Sequence, residues 1–393
     1  MRQSLLILIF VCPAVDAQKT EPLDGRDGRM LALPNFRPES QLDAPQSDIQ
    51  HAKFPVIDVH VHPRMRLRHL PAMLDQFVAV MDEQNVAVCV SLDGRLGAEL
   101  EEHKKYLLTK YPDRFAIFAN IDWKGDGERG APATWACHRP AFARRMADQL
   151  ADAKQRGAVG LKIFKRLGLD YKNPDGSLIA IDDPRWDPIW SACGELGLPV
   201  IIHTADPVAF FEPIDERNER WEELHRHPDW SYTGDAFPTH DELLAARNRV
   251  IERHPQTTFI GAHVANYPEN LLEVSKWLDA YPNLVIELSS RIAELGRQPR
   301  AAREFFLRYQ DRILFGSDGP RPAARLKPQW RFLETADEYF RYAENPFPPQ
   351  GLWNIYGIAL PDEVLRKVYH ENAVRLIPGL REKFERSVGE RGP

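Results

Sequence analysis

In FPVIDVHVHP, residues 54–63, two histidines stand one residue apart at the end of a run of β-branched apolar residues. A strand turns alternate side chains to opposite faces, so His60 and His62 face the same way, as does Asp58. Two imidazoles are awkward company for a hydrophobic core, and a metal would explain them. Four more chemistry-bearing residues sit in or at the end of other apolar runs: Lys162, His203, His263 and Asp318. Imidazoles and one carboxylate converging on a point, with a coordination position left open, make a catalytic zinc-type site. A metal there would acidify water and polarise an electrophilic atom. Asp318 would take the water's proton and deliver it to the leaving group.

These residues span more than 250 positions, so a particular scaffold must gather them. Eight short β-like runs are present: 54–62, 86–92, 115–122, 158–164, 199–203, 257–263, 284–290 and 312–318. Helical periodicity falls between most of them. Trp186, Ile189, Trp190 and Cys193 repeat at i, i+3, i+4 and i+7, with Asp183 placed to cap and Pro184 in the first turn. A second helix covers 363–379 and is ended by Pro378 and Gly379. Strands that are apolar on both faces and alternate with helices predict a single (β/α)8 barrel, α/β in class, over residues 53–380. A doubly wound open sheet is the alternative, but it does not explain polar residues at so many strand ends. The long connections 123–140, 204–240 and 319–361 all follow strands, which puts them on the barrel's C-terminal face as walls and lid.

Other polar groups reach the same rim. Arg64 and Arg66 follow the histidine pair, Asp206 follows His203, and Arg291 follows the seventh run. Arginines bind carboxylates in bidentate fashion, so these residues and Lys162 suggest a small acidic substrate. The plain alternative is that the arginines form surface ion pairs. An unpaired ammonium at Lys162 would be costly inside a barrel, so it must pair with an acid, meet a substrate anion or be modified. Lys165, one step out of phase, reads as a solvated loop residue.

The stretches VIDVHVHP, IIHTADP, FIGAHVAN, RILFGSDGP and VLRKVYHENAVRLI, in that order, resemble the amidohydrolase superfamily. Within it they resemble the amidohydrolase-2 branch of metal-dependent TIM-barrel hydrolases and decarboxylases, over roughly residues 54–380. The resemblance implies one or two divalent ions, zinc by expectation, held by His60, His62, His203 and Asp318. It puts His263 near the reacting group or on a second metal, and Lys162 on a bridge if it is carboxylated. It implies hydrolysis of an amide, ester or lactone bond, with non-oxidative decarboxylation as the alternative. A binding barrel without turnover is a third reading, which has no need of the full ligand set and Asp318.

A net charge of −6 over 393 residues leaves no basic excess to meet phosphates, which argues against nucleic-acid binding. Residues 1–17 combine one early positive charge, an apolar run from Leu5 to Val11 and small residues at Val15 and Ala17, the pattern of a cleaved secretory signal. The expectation is a periplasmic or secreted protein without a membrane span, a small molecule as its partner, and the homodimer question open. Residues 18–52 read as an extension wrapping the body and 381–393 as a polar tail. Cys89 and Cys193 read as packed small hydrophobes, while Cys137, in a polar loop, is the cysteine free to do chemistry.

Overall fold

Each of the eight apolar runs contains a strand in the computed structural model, which describes residues 23–32, 35–36, 38–342, 351 and 353–389. The strands are β1 (Val56–Val61), β2 (Val86–Ser91), β3 (Phe115–Asn120), β4 (Gly160–Ile163), β5 (Val200–Ile202), β6 (Phe259–Gly261), β7 (Leu284–Glu287) and β8 (Ile313–Leu314). They pair in parallel in sequence order as one eight-stranded sheet. Beyond β8 the chain turns back onto β1: Val59 N donates to Phe315 O at 3.0 Å, Gly319 N to His60 O at 3.1 Å, and His62 N to Gly319 O at 2.7 Å. The result is a nearly closed (β/α)8 barrel, and the open doubly wound sheet is excluded.

Every strand residue is buried, as expected when helices cover one face and barrel-filling side chains the other. The helix anticipated after Asp183 begins with a 3-10 turn at Pro184–Trp186, where the Asp183 side chain accepts from Arg185 N at 2.9 Å. It continues as Asp187–Leu196 and stops at Gly197, in the left-handed conformation. The helix expected over 363–379 is interrupted by a π turn at Lys367–Glu371, and within it Val368 O accepts from Phe315 N at 3.0 Å. The short strand β8 is thereby continued by a helix carbonyl.

The polar tail expected from Arg381 onward is instead the helix Leu380–Gly389. Leu380, Phe384 and Val388 fall at i, i+4 and i+8 and pack into the barrel's interior cluster. The Ser387 hydroxyl donates to Ala87 O at 2.9 Å, at the start of β2 and opposite the histidine end. Burying Leu380 alone contributes about 1.5–3 kcal/mol.

The chain divides into residues 1–43 and 44–393. In the first unit, an Arg26–Gly28 turn lies between the bridged residues Asp24 and Leu31. In the second, residues of the expected extension hold to the barrel: Ser47 N and Oγ donate to Asp337 at 2.8 and 2.7 Å. The signal segment 1–17 lies outside the described residues. Among those described, no helix is long and apolar enough to cross a membrane.

Candidate metal centre

The end of β1 presents two imidazole nitrogens to one point. His60 Nε2 and His62 Nε2 are 3.2 Å apart, and Asp318 Oδ1 is 3.8 Å from His62 Nε2. Each ring is fixed from behind: His60 Nδ1 is 2.9 Å from Glu287 Oε1, and His62 Nδ1 is 2.7 Å from Asp93 Oδ1. A carboxylate on Nδ1 orients the ring and leaves the Nε2 lone pair for a cation. Glu287 closes β7 and Asp93 lies just past β2. The only sequence signal for Glu287 is an acid in the otherwise apolar LVIE, and Asp93 looks like a turn aspartate before glycine. Gly316 makes room for this arrangement, since a Cβ there would stand 2.4 Å from Glu287 Oε2 and 3.1 Å from His60 Cβ. One layer deeper, Asp58 accepts from His60 N and Ser317 N at 3.1 and 3.0 Å, tying β1 to the end of β8. Burial pushes its carboxyl up to about 7 despite those donors.

His263 follows β6 on an unusual turn. His263, Val264, Ala265 and Asn266 all have left-handed backbones, with φ of 55°, 58°, 51° and 59°. That conformation costs about 1–2 kcal/mol for each non-glycine residue, least for asparagine. The turn folds back so tightly that a Cβ at Gly261 would lie 2.8 Å from Ala265 Cβ. His263 Nδ1 is 2.8 Å from Ser289 O, so it carries the proton and its Nε2 offers a lone pair. The His263 ring lies 5.0 Å from His60 and 4.5 Å from His203, centroid to centroid.

Besides His62, Asp318 reaches three neighbours. Arg66 Nη2 and Arg321 Nη2 approach its two oxygens at 3.2 and 3.3 Å, and Ser290 Oγ donates at 3.1 Å. Burial alone would raise its pKa, but His60, Arg321, His62 and Arg66 together hold the carboxyl below its ordinary range.

The remaining expected site residues divide. Arg291 is buried, with Nη1 donating to Ser290 O at 2.8 Å and Nε making no hydrogen bond among the described residues. Lys162 Nζ is buried without a hydrogen-bond partner among the described residues, so the ion pair with a neighbouring acid is not formed. Burial pulls it down to about 8. Asp206 stands 3.5 Å from His203 Nε2 and also pairs with Lys165, which is therefore engaged rather than solvated. Arg64 does not join the rim: its Nε donates to Asp93 O at 3.2 Å and its Nη2 to Glu99 O at 2.7 Å. It braces the segment that carries Asp93. Cys137 is also corrected: it is buried, and burial pushes its thiol up to about 11, so it is not a reactive thiolate.

The donor set fits a divalent cation. Burial drives His60 and His263 well below the usual imidazole range and His203 down to about 4, so all three are neutral, the form that ligates. His60, His62 and Asp318 form one cluster of close donor atoms, and His60, His263 and Glu287 form another. His203 joins through its ring contact with His263 rather than through the first cluster.

The histidine pair that ends β1 and the aspartate beyond β8 make a candidate metal centre at one end of a (β/α)8 barrel. A family model described as amidohydrolase matches residues 57–379, and the chain belongs to that family. Among solved structures, it is similar to 2,6-dihydroxybenzoate decarboxylase from Rhizobium at 17% identity, covering 82% of this chain and 98% of that one, with a TM-score of 0.45. It is similar at 14% identity to a probable 2-pyrone-4,6-dicarboxylic acid hydrolase from Acinetobacter baumannii with citric acid bound, covering 82% and 99%, TM-score 0.44. A dihydroxybenzoic acid decarboxylase from Polaromonas with bound manganese and 2-nitroresorcinol is 16% identical over 84% and 97%, TM-score 0.46.

Proposed function

We propose that this protein is a metal-dependent hydrolase that cleaves an amide, ester or lactone bond of a small acidic molecule. The observation that carries the proposal is the pair of Nε2 atoms 3.2 Å apart, each with its Nδ1 held by a buried carboxylate. His60, His62 and Asp318 would hold the ion, with His203, His263 and Lys162 beside them. The His/Asp set suits zinc or manganese. Such an ion supplies Lewis acidity, which acidifies water and polarises a carbonyl.

The chain's own groups do the rest. Asp318 is kept ionised by Arg66 and Arg321, so a carboxylate oxygen is ready to take a proton from water. It returns that proton to the departing nitrogen or oxygen. His263 presents its Nε2 lone pair to the same space and can accept a hydrogen bond there. Arg291, a buried cation without a carboxylate partner among the described residues, receives a substrate carboxylate and orients the scissile bond.

Lys162 favours a second reading. Decarboxylation needs a proton delivered to carbon, and a buried amine near pKa 8 is a suitable donor at neutral pH. The test is metal content by elemental mass spectrometry on chelator-free protein, followed by acidic lactones, esters, amides and aryl carboxylic acids as substrates. An alcohol or amine released with a new acid supports hydrolysis. Carbon dioxide supports the second reading. A wild type that binds no supplied metal overturns both.

A further inference from the structure

The left-handed turn that carries His263 is not held by its own sequence. Val264 and Ala265 both resist the conformation, and Val264 is β-branched. Two donors from one helix grip the carbonyls at its end. Arg247 Nη1 donates to Ala265 O, and His240 Nε2 is 3.0 Å from Asn266 O. The helix is His240–Arg253, started by a capping box between Thr239 and Glu242, so residues 240 and 247 stand two turns apart on one face. The Asn266 side chain then accepts from Thr204 N at 3.0 Å, linking the turn to the residue after His203.

Arg247 is unusual for a support. It is fully buried, lies over the Trp277 ring at 4.6 Å, and sends its other nitrogens to Asn248 Oδ1 at 3.1 and 2.8 Å. Among the described residues no carboxylate comes within ion-pair distance of it. A buried cation without an anion is costly, and an apolar side chain of similar volume would serve the core better. What such a side chain could not do is donate to a carbonyl of a strained turn.

We infer that Arg247 and His240 are positioning residues that hold the residue 263–266 turn left-handed and thereby aim His263 at the reacting centre. This rests on the reading of the histidine rim as the reactive site. Their hydrogen bonds do not reach His60, His62 or Asp318, so they act through the turn that carries His263.

The test combines structure and kinetics in the full-length protein. Arg247→Met is expected to lose the hydrogen bond between His263 Nδ1 and Ser289 O in its crystal structure. Its kcat should fall roughly 100-fold, as for a catalytic group displaced by about 1 Å, with KM and metal content unchanged. Replacing Val264 and Ala265 with glycine in that background should restore most of kcat, because glycine enters the left-handed region without penalty. Arg247→Lys, which keeps one charged donor, should retain more activity than Arg247→Met and covers the case in which Arg247→Met does not fold. An intact turn and undiminished kcat in Arg247→Met would overturn the inference. So would a loss of kcat that the glycine pair fails to rescue, since that marks a purely structural role. If the wild type hydrolyses nothing, the site reading fails, and the crystal structures still decide whether Arg247 holds the turn.

Discussion

Glu287 Oε1 lies 2.9 Å from His60 Nδ1 and 2.7 Å from His263 N, so one buried carboxylate fixes two histidines that arrive from β1 and from the turn after β6. Its second oxygen accepts from Ser289 N at 2.7 Å. Glu287→Gln keeps the volume but has one acceptor oxygen in place of two and turns a donor toward His60 or Ser289. Affinity for the metal is expected to fall by roughly 10- to 100-fold, as for other partners of metal-bound histidines. Competition with a chromogenic chelator measures this. Unchanged affinity would mean that Glu287 holds β7 and does not tune the site.

Asp318→Asn separates enzyme from binder. The asparagine can still occupy the position between Arg66 and Arg321 but cannot take a proton. Turnover should drop on the order of 10²- to 10⁴-fold, the range for loss of a general acid–base. Metal content, with metal supplied, should stay close to that of the wild type, because the braced His60–His62 pair remains. Residual activity near wild type would remove Asp318 from the proton path.

The barrel was legible because buried parallel strands must be apolar throughout, and turn signals cut them to length. The candidate ligands stand out because a polar residue ending such a strand has few other uses. The carboxylates behind them were not: Asp93 looks like any turn aspartate, and nothing local says that Glu287 faces inward. Arg64 and Arg66 look equivalent in sequence, yet they lie in the helical turn Pro63–Leu67. Two helical steps separate their side chains by about 200°, so one turns to Asp93 and the other to Asp318. The helix Leu380–Gly389 was missed because its polar residues outnumber the three apolar ones that dock. The left-handed turn at His263 lies beyond sequence reasoning altogether, since valine and alanine argue against it.

Arg291→Met should weaken an acidic substrate and nothing else. A charged hydrogen-bonded pair contributes about 1.5–3 kcal/mol, so kcat/KM for the acid should fall roughly 10- to 150-fold. A neutral methyl ester of the same compound should be cleaved equally by wild type and variant. The substrate-free variant is expected to melt no lower than the wild type, because a buried cation without a carboxylate partner among the described residues has been removed. Equal losses for acid and ester would assign Arg291 to the architecture of the rim.

Away from the candidate metal centre, His103 gives a prediction for pH. It is fully buried, with Nε2 at 2.8 Å from Ser91 Oγ and Nδ1 at 2.9 Å from His69 Nε2. Burial first, then the positive charge of Arg64 and to a smaller extent His69, pull it down to about 3 against a partial opposing pull from Asp93. The unfolded chain binds this proton near pH 6.5, whereas the folded chain does not until about pH 3. Between those values the unfolded state holds more protons, so stability rises with pH there and is lost as pH falls from 6.5 toward 3. The slope from one such group is about 1.4 kcal/mol per pH unit. His103→Gln, which retains polar contacts to both neighbours but does not titrate, should flatten the wild-type curve by about 2 kcal/mol between pH 6.5 and pH 5. Urea denaturation of both proteins across that range measures it. Parallel curves would show that His103 takes up its proton in the folded state, and that the Ser91–His103–His69 chain accommodates the charge.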